Sequence, residues 1–178
     1  SNLTNTTFNI TASNATICAG SNATLTATTT GTLPGAITWY TSQFGSGVQN
    51  YGATLTVTNV LATTTFWVGT CPGTFRVPAT ITVNPAPVIS GTAVLANPNC
   101  STPGSITGLS VSGGTPTLTY SWSGTSTVGP NYNNAPAGTF TLTVTDANGC
   151  IDTDGPHTLV GTSGPSVNTT GLVNTAQN

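Results

Sequence analysis

The sequence predicts an all-β protein made of two tandem β-sandwich domains, on three observations. A spacing of cysteine, tryptophan and cysteine occurs twice along the 178 residues. Apolar and hydroxyl residues alternate with a period of two in many short segments, which is the pattern of a half-buried strand. No segment of ten residues shows the 3.6-residue period of an amphipathic helix, so we expect almost no helix.

The repeated spacing of cysteine and tryptophan predicts the type of sandwich. Each copy places one tryptophan between two cysteines: Cys18, Trp39, Cys71 and Cys100, Trp122, Cys150. Over alternating strands, this spacing is typical of an immunoglobulin-like sandwich, in which an indole is buried near an intersheet disulfide. We therefore predict two immunoglobulin-like domains with one intradomain disulfide each, and we place both tryptophans in the cores.

Four cysteines allow three disulfide pairings. We predict Cys18–Cys71 and Cys100–Cys150, because each bridge then stays inside one repeat. Closing a loop of about 50 residues stabilises a small domain by roughly 4 kcal/mol in the chain-entropy model. Persistent disulfides indicate an oxidising compartment outside the cytoplasm. The alternative of structural zinc lacks support, because the sequence has no C-x-x-C pair.

Strands are expected where the alternation is strict. In the first half these segments include 24–28, 54–58 and 80–83, and in the second half 118–122 and 139–145. Their threonines face water, where β-branching still favours an extended chain. Turn signals rich in glycine, proline and asparagine separate the segments at the spacing typical of a sandwich.

The domain boundary is predicted at residues 84–87, where two prolines make a short and stiff joint. Residues 1–84 then form the first domain and residues 85–162 the second. The tail, residues 163–178, partly repeats the Asn/Thr pattern of the N-terminal segment. We expect it to be a linker, the first strand of a following module, or a strand lent to a neighbouring copy.

The near absence of charge excludes several classes of partner. Only 2% of the residues are charged, against about 25% in typical domains. Arg76 is the single basic residue, and the acids are Asp146, Asp152 and Asp154. No basic patch can displace counterions from phosphate, so we expect no binding to nucleic acid or to an anionic membrane surface. No apolar run reaches 18 residues, so we expect no membrane insertion.

The acidic segment is the one candidate for a metal site. Asp146, Asn148, Asp152 and Asp154 offer oxygen ligands at alternate positions around a glycine turn, a pattern that can hold calcium. In the competing interpretation, Asp146 and Asn148 satisfy backbone donors in a tight turn and Gly149 takes a positive φ. We favour the turn, and we predict no metal and no cofactor.

Two catalytic hypotheses can be formulated from the same segment. Asp152 and Asp154 lie two residues apart, which puts both on one face of a strand, whereas a glycosidase needs its two carboxylates across a cleft. His157 is the single histidine, and a Ser-His-Asp triad would require it. The sequence has no Gly-x-Ser-x-Gly elbow for such a triad. We predict that the chain is not an enzyme.

Carbohydrate recognition and glycosylation are further hypotheses. Tyr40, Tyr51 and Tyr132 could form a stacking platform for sugars. Phe66 and its neighbour Trp67 point to opposite sides of a strand, so one of them must face outward or into a seam between the domains. Sequons of the form N-x-Ser/Thr mark candidate glycosylation positions in an exported protein. They begin at Asn2, Asn5, Asn9, Asn14, Asn22, Asn99 and Asn168.

The second half resembles the SprB-type repeat of giant gliding adhesins on the surface of Bacteroidota. The matching segments are 104–107, 111–116, 120–123 and 137–150, the last reading AGTFTLTVTDANGC. The first half resembles Ig-like domains in secreted proteins of the same phylum. Its matching segments are 17–21, 37–40, 63–68 and 79–85. Such repeats are expected to carry more Lys, Asp and Glu than this chain does.

The resemblance implies a β-sandwich, a cell-surface location, often reached by type IX secretion, and a spacer or adhesive role. It carries over no catalytic residue. We therefore predict a structural, non-catalytic segment of an extracellular surface adhesin or filament. The alternative is a glycan-binding module of a secreted multidomain protein, with surface glycans as its partner.

The exposed edges of the sheets suggest what the partner is. Soluble monomers protect sheet edges with charged side chains, above all lysine, and this chain has almost none. Its edges must therefore be short, bulged, covered by sugar or paired with a neighbour. We favour contacts between copies of the chain, for example by addition of a strand from a terminal segment.

Overall fold

The computed structural model describes residues 8–33, 35–71, 75–123 and 125–162. Within these ranges the chain forms fifteen β-strands and no helix, so the predicted all-β class is confirmed. The chain divides into two compact units, Ser1–Ala86 and Pro87–Asn178. This division falls two residues after the predicted end of the first domain, and residues 163–178 lie outside the described ranges.

Unit 1 is a sandwich of two sheets. Its strands are β1 (Asn9–Ala12), β2 (Ala15–Cys18), β3 (Ala23–Thr30), β4 (Ala36–Tyr40), β5 (Val48–Tyr51), β6 (Thr54–Val57), β7 (Thr64–Cys71) and β8 (Arg76–Asn84). One sheet has the order β1-β3-β6 and the other β2-β8-β7-β4-β5. β2 pairs with β8 in parallel, while the other pairs are antiparallel.

The core of unit 1 follows from the alternation of its strands. In β3 the even-numbered threonines are exposed, whereas Leu25 and its alternate neighbours are buried. Trp39 on β4 has no exposed surface, and its Nε1–H donates to the carbonyl oxygen of Gly52 at 3.0 Å. Leu25 and Val68, from the two opposing sheets, belong to the same buried cluster as Trp39. The indole therefore lies in an aliphatic core.

Unit 2 repeats the two-sheet arrangement. Its strands are β9 (Pro87–Ala96), β10 (Gly104–Gly113), β11 (Thr119–Trp122), β12 (Thr125–Thr127), β13 (Tyr132–Ala135), β14 (Gly138–Thr145) and β15 (Ile151–Leu159). The sheets have the orders β13-β10-β9 and β12-β11-β14-β15. All of these pairs are antiparallel.

Aromatic side chains dominate the core of unit 2. Trp122 on β11 is fully buried, and its Nε1–H donates to the carbonyl oxygen of Pro130 at 3.2 Å. Its ring stacks on Tyr132 with the centroids 5.9 Å apart, and Tyr132 meets Phe140 edge to face at 5.2 Å. Such pairs contribute about 0.5–1.5 kcal/mol beyond the area that they bury.

The predicted disulfide Cys18–Cys71 is wrong. Cys18 lies opposite Asn84, at the end of β8. Cys71 is the last residue of β7, and the neighbouring Gly69 pairs with Arg76 at the start of β8. The two cysteines therefore lie at opposite ends of β8. The nine residues of β8 separate these positions by about 26 Å at 3.3 Å per residue. A disulfide needs Cα atoms within about 7 Å. Cys18 is disulfide-bonded, while Cys71 is a free, exposed thiol.

The predicted disulfide Cys100–Cys150 is wrong for the same reason. β15 runs beside β9, because the Ile89 amide donates to Asp152 at one end and the Val160 amide donates to Asn97 at the other. Cys150 directly precedes β15 and so lies near the start of β9, whereas Cys100 follows the end of β9. The ten residues of β9 keep them about 30 Å apart. Cys150 is disulfide-bonded and Cys100 is a free, exposed thiol.

Two thiols per chain should therefore react with a maleimide in the native protein without reductant. Peptide mapping should place the adducts on Cys71 and Cys100, since these are the exposed thiols. Reduction and unfolding before labelling provide the control and should give four adducts, matching the four cysteines of the sequence. Native protein without any reactive thiol would favour the pairing based on the repeats.

In the described residues, six of the eight outer strands are short, whereas the outer strands β9 and β15 have ten and nine residues. Short edges are one of the alternatives left open by the lack of charge. In unit 1, β1, β2, β5 and β6 have four residues each. In unit 2, β12 has three and β13 has four. Register shifts also interrupt the pairing of β5 with β4 and of β13 with β10. These six short edges, two of them bulged, offer little backbone for strand addition, whereas the longer outer strands β9 and β15 offer more.

Candidate functional site

The turn between β14 and β15 is organised by the buried carboxylate of Asp146. Its Oδ1 accepts the amides of Asn148 at 2.9 Å and Cys150 at 2.8 Å, and its Oδ2 accepts the amide of Thr115 at 2.9 Å. The Asn148 side chain also donates to Thr115 Oγ1 at 2.7 Å. Gly149 has a φ of 79°, which glycine adopts without strain. Asp146 therefore fastens the β10–β11 connection to this turn.

The same hydrogen bonds determine the charge state of Asp146. The amide of Thr115 has the largest effect and lowers the pKa of the Asp146 carboxyl below its ordinary value of 3.8. Burial opposes this effect, while the amides of Cys150 and Asn148 reinforce it. A carboxylate that accepts several backbone donors is stabilised in its ionised form. Asp146 is thus a structural anion.

Replacement of Asp146 should change how stability depends on pH. Because the folded-state pKa is lowered, ionised Asp146 stabilises the fold above pH 3.8, and this contribution is lost as the pH falls through the folded-state pKa. The melting temperature of the wild type should therefore drop between about pH 5 and pH 2. Asp146→Asn should melt lower than the wild type at neutral pH and show a flatter profile in that window.

Asp154→Asn is the matched control for this prediction, because it removes a carboxylate outside the turn. It should keep the acid-side slope of the wild type. An Asp146→Asn variant with the slope of the wild type would show that other groups cause the acid sensitivity.

The remaining candidate calcium ligands do not converge with Asp146. Oδ2 of Asp152 accepts the Ile89 amide at 2.7 Å, which ties β15 to β9. Oδ2 of Asp154 lies 2.6 Å from Nε2 of His157. In the described part of the chain, no group of three or more His, Cys, Asp or Glu residues is arranged to hold a metal ion. Each of the three aspartates thus makes its own structural contact.

The two catalytic hypotheses receive no support from the arrangement of these groups. His157 contacts Asp154 and lies 5.9 Å from the Trp122 ring, but no serine hydroxyl of the described residues is hydrogen-bonded to it. Asp152 and Asp154 face the same side of β15, opposite Val144 and Leu142. This geometry lacks the nucleophile of a triad and the opposed carboxylates of a glycosidase.

The predicted tyrosine platform is not formed. Tyr40 and Tyr132 are only 5% and 8% exposed, and they lie in different units. Tyr51, the third member, is exposed. Of the neighbouring pair on β7, Phe66 is buried in the core and Trp67 is partly buried on the opposite side. Flat aromatic stacking across these three tyrosines is therefore impossible.

Tyr40 is covered because Arg76 lies on it. The Cζ atom of Arg76 is 3.3 Å from the centroid of the Tyr40 ring, a cation–π contact. The guanidinium also donates to the carbonyl oxygens of Ser42 and Gly45, each at 2.7 Å. Gly69 leaves room for this side chain, since a Cβ there would lie 3.2 Å from Arg76 Cγ and 2.5 Å from the Phe75 carbonyl oxygen. Arg76 thus fixes the loop 41–47 on the sheet.

The sequence reasoning missed this arrangement, although it singled out Arg76 as the one basic residue. Three aromatic side chains of unit 1 are exposed: Phe44 (76%), Phe75 (64%) and Tyr51 (66%). Phe44 lies on the loop that Arg76 holds, and Phe75 precedes Arg76 in the chain. Tyr51 lies opposite Thr38, which in turn pairs with Gly69 beside Arg76.

Unit 2 carries an open groove of about 490 Å³ beside the Trp122 side chain. Neutral residues line it: Thr127, Val128, Gly129, Pro130, Asn131 and Asn133. Val128 is fully exposed at its rim. The groove offers neither a charged group nor an aromatic ring, so its lining provides no stacking surface for a sugar.

The candidate glycosylation positions are partly described. Asn9, Asn14, Asn22 and Asn99 are exposed, while Asn2, Asn5 and Asn168 lie outside the described residues. Oδ1 of Asn14 accepts the Thr80 amide at 2.9 Å, and Oδ1 of Asn22 accepts the Asn59 amide at 3.0 Å. Oδ1 of Asn99 accepts the amides of Ser101 and Thr102. The asparagine oxygens at these three positions stabilise loops and strand ends.

No helix of the described residues has the length and apolar character needed to cross a membrane. No curated protein matches the sequence significantly. Residues 6–85 match a family model described as an Ig-like domain, CHU_C associated. This match falls within unit 1 and agrees with the resemblance of the first half to Ig-like domains of secreted proteins.

Solved structures of immunoglobulin domains are similar to the chain. The N-terminal eight Ig domains of Down Syndrome Cell Adhesion Molecule align with a TM-score of 0.53 and 18% identity, over 83% of this chain and 26% of that one. Sidekick-1 immunoglobulin domains 1–4 give 0.45 and 17%, over 89% and 49%. The titin fragment I67-I69 gives 0.44 and 16%, over 83% and 62%. At 18% identity, the similarity to the first of these structures shows the fold alone. The chain has an all-β, immunoglobulin-like fold.

Proposed function

We propose that the chain is a structural, non-catalytic segment of an extracellular surface adhesin or filament, in which copies contact one another. One observation carries the proposal. The acidic side chains and the single arginine of the described residues are engaged within the fold, while large apolar side chains remain at the surface. Asp146, Asp152 and Asp154 have internal hydrogen-bond partners, as does Arg76. The exposed apolar side chains are thus the groups most available for function, and they favour contacts with other protein surfaces.

The surface composition supports contacts between proteins. Exposed large apolar residues occur in both units: Phe44, Val48, Tyr51, Leu61, Phe75, Val88, Val94, Leu95, Val128, Ile151 and Val160. A net charge of −2 on 178 residues gives little electrostatic repulsion between copies, and low net charge favours association. The disulfide-bonded state of Cys18 and Cys150 supports an oxidising, extracellular location.

Light scattering coupled to size-exclusion chromatography tests this proposal against glycan binding. The proposal predicts particles heavier than the 17.7 kDa monomer, with a mass that increases as protein is concentrated. It also predicts no binding to an array of neutral oligosaccharides. A strict monomer that binds one class of oligosaccharide would contradict the proposal and favour the glycan-binding alternative.

A further inference from the structure

Two long strands, β9 and β15, lie side by side in unit 2 although they belong to different sheets. Each is an outer strand of its sheet, and the two strands contact each other. They run in the same direction, because Ile89 near the start of β9 contacts Asp152 near the start of β15. At the other end Asn97, which follows β9, contacts Val160, which follows β15. Each strand therefore lies along the free edge of the other.

The contact at the start of the two strands is made by the carboxylate of Asp152. Its Oδ2 accepts the amide of Ile89 at 2.7 Å, and its Oδ1 accepts the amide of Thr153 at 2.9 Å. The carboxylate thus satisfies an amide at the edge of β9, which an edge strand otherwise leaves without a partner. It also places one of the three acids of the chain at this edge, where a charged side chain opposes pairing with another chain.

The contact at the other end of the two strands uses neutral groups. The amide of Val160 donates to Oδ1 of Asn97 at 2.9 Å. Beyond it, the amide of Thr162 donates to the carbonyl oxygen of Pro98 at 3.4 Å. Among the described residues, no backbone ladder joins β9 to β15 between the two ends. Side-chain hydrogen bonds of Asp152 and Asn97 therefore hold the strands together, and we call these two hydrogen bonds the edge contacts.

Unit 1 covers the edge of its last strand in another way. β2 pairs with β8 in parallel through a ladder of four residue pairs, from Ala15 with Ile81 to Cys18 with Asn84. In the described part of unit 2, β15 has no partner strand on its outer side. Pro156 within β15 also has no N–H to contribute to a ladder. The edge contacts thus take the place of a covering strand.

The edge of β9 has the properties of a strand-pairing surface. Its ten residues, PVISGTAVLA, carry no charge, and Val88, Val94 and Leu95 are exposed on it. The register shift with β10 falls after Gly91, so the edge consists of two halves with one edge contact at each. A long, apolar edge without charge is a template for pairing with a further strand. Two copies of β9 also have no like charges that would keep them apart, so a second copy of β9 fits this edge.

We infer that the two edge contacts keep a self-pairing edge covered, and that β9 without them pairs with β9 of a second copy. Such a contact joins the same surface of two copies, so it is isologous and stops at a dimer. It uses backbone hydrogen bonds, whereas the proposed function rests on contacts between exposed side chains of intact copies. The inference is therefore independent of the proposed function, and it is tested as a difference from the wild type.

The full-length double variant Asp152→Ala with Asn97→Ala tests the inference. In dilute protein, hydrogen exchange at the amides of Ile89 and Val160 should be roughly tenfold faster than in the wild type or more, because each amide loses its acceptor. In concentrated protein, sedimentation velocity should show dimers in excess of the wild type, and exchange along β9 should slow again. Thermal melts should verify that the variant is folded. If it is not, Asn97→Ala alone takes its place, with the Val160 amide as the readout.

Lysine on β9 distinguishes strand pairing from partial unfolding. Adding Val88→Lys and Val94→Lys to the double variant places one charge on each half of the edge, and the protein should then sediment like the wild type. Leu61→Lys with Val128→Lys is the matched control, because it adds the same charge at exposed positions outside β9. It should leave the dimers in place. Dimers that persist with lysine on β9, or a folded double variant that exchanges and sediments like the wild type, would overturn the inference.

Discussion

Gly108→Ala is expected to destabilise unit 2 by about 3 kcal/mol or more, since it combines backbone strain with a backbone clash. Gly108 has a φ of +85° at the register shift between β9 and β10. A Cβ there would lie 2.5 Å from the Thr92 carbonyl oxygen, and one on its neighbour Gly91 would lie 2.4 Å from the Gly108 carbonyl oxygen. The two glycines allow β9 and β10 to approach at the bulge.

Urea unfolding measures this effect as a lower midpoint, and thermal melting measures it independently. Gly129→Ala is the matched control, because a Cβ at Gly129 would meet no atom within 4 Å. It should leave the stability nearly unchanged. Equal stability of Gly108→Ala and Gly129→Ala would mean that the bulge can relax and that the close approach is not required.

Trp122→Ala is expected to cost about 3–5 kcal/mol, the range for removing a large aromatic side chain from a core. The substitution leaves a cavity beside Tyr132 and removes the donor to the Pro130 carbonyl. It also removes the ring that lies against His157. The aromatic cluster should then lose its fixed packing, which near-ultraviolet circular dichroism would show as a loss of signal.

Val128→Ala is the control for this substitution, since Val128 is fully exposed and close in sequence. Surface substitutions of this kind usually change stability by less than about 0.5 kcal/mol. A Trp122→Ala protein that unfolds at the wild-type urea concentration would contradict the assignment of Trp122 to the core.

The strands with strict alternation could be predicted because they obey a local rule. The alternation in residues 24–28 predicts that Leu25 is buried and its threonine neighbours are exposed, which the structure has. Local periodicity is sufficient here because one face of every sheet is covered by the other sheet. The domain boundary at the two prolines stays a prediction.

The disulfide pairing could not be predicted, because it depends on the order of strands in space. Keeping each bridge within a repeat assumes that cysteines of one domain meet. In unit 1 Cys18 lies on β2, which runs parallel to β8 and ends beside Asn84, far from the end of β7. No local pattern around Cys18 indicates this parallel pairing, since strand order is a non-local property.

The contact of Arg76 with Tyr40 could not be predicted for a similar reason. Alternation on β4 places Trp39 inside and Tyr40 outside, which made Tyr40 a candidate for sugar stacking. The structure covers Tyr40 with Arg76, which lies 36 residues later in the sequence. The single arginine nevertheless indicated that such a contact exists, because an isolated charge that lies against a sheet needs hydrogen-bond partners.

Sedimentation velocity of the wild type over a wide range of protein and salt concentrations tests the central claim most directly. The claim is that copies associate through uncharged side chains of otherwise inert sandwiches. The average sedimentation coefficient should rise with protein concentration, fall back on dilution, and persist at about 0.5 M salt, where charge interactions are strongly screened. A single monomeric species at all protein concentrations, or association abolished by salt, would contradict the claim.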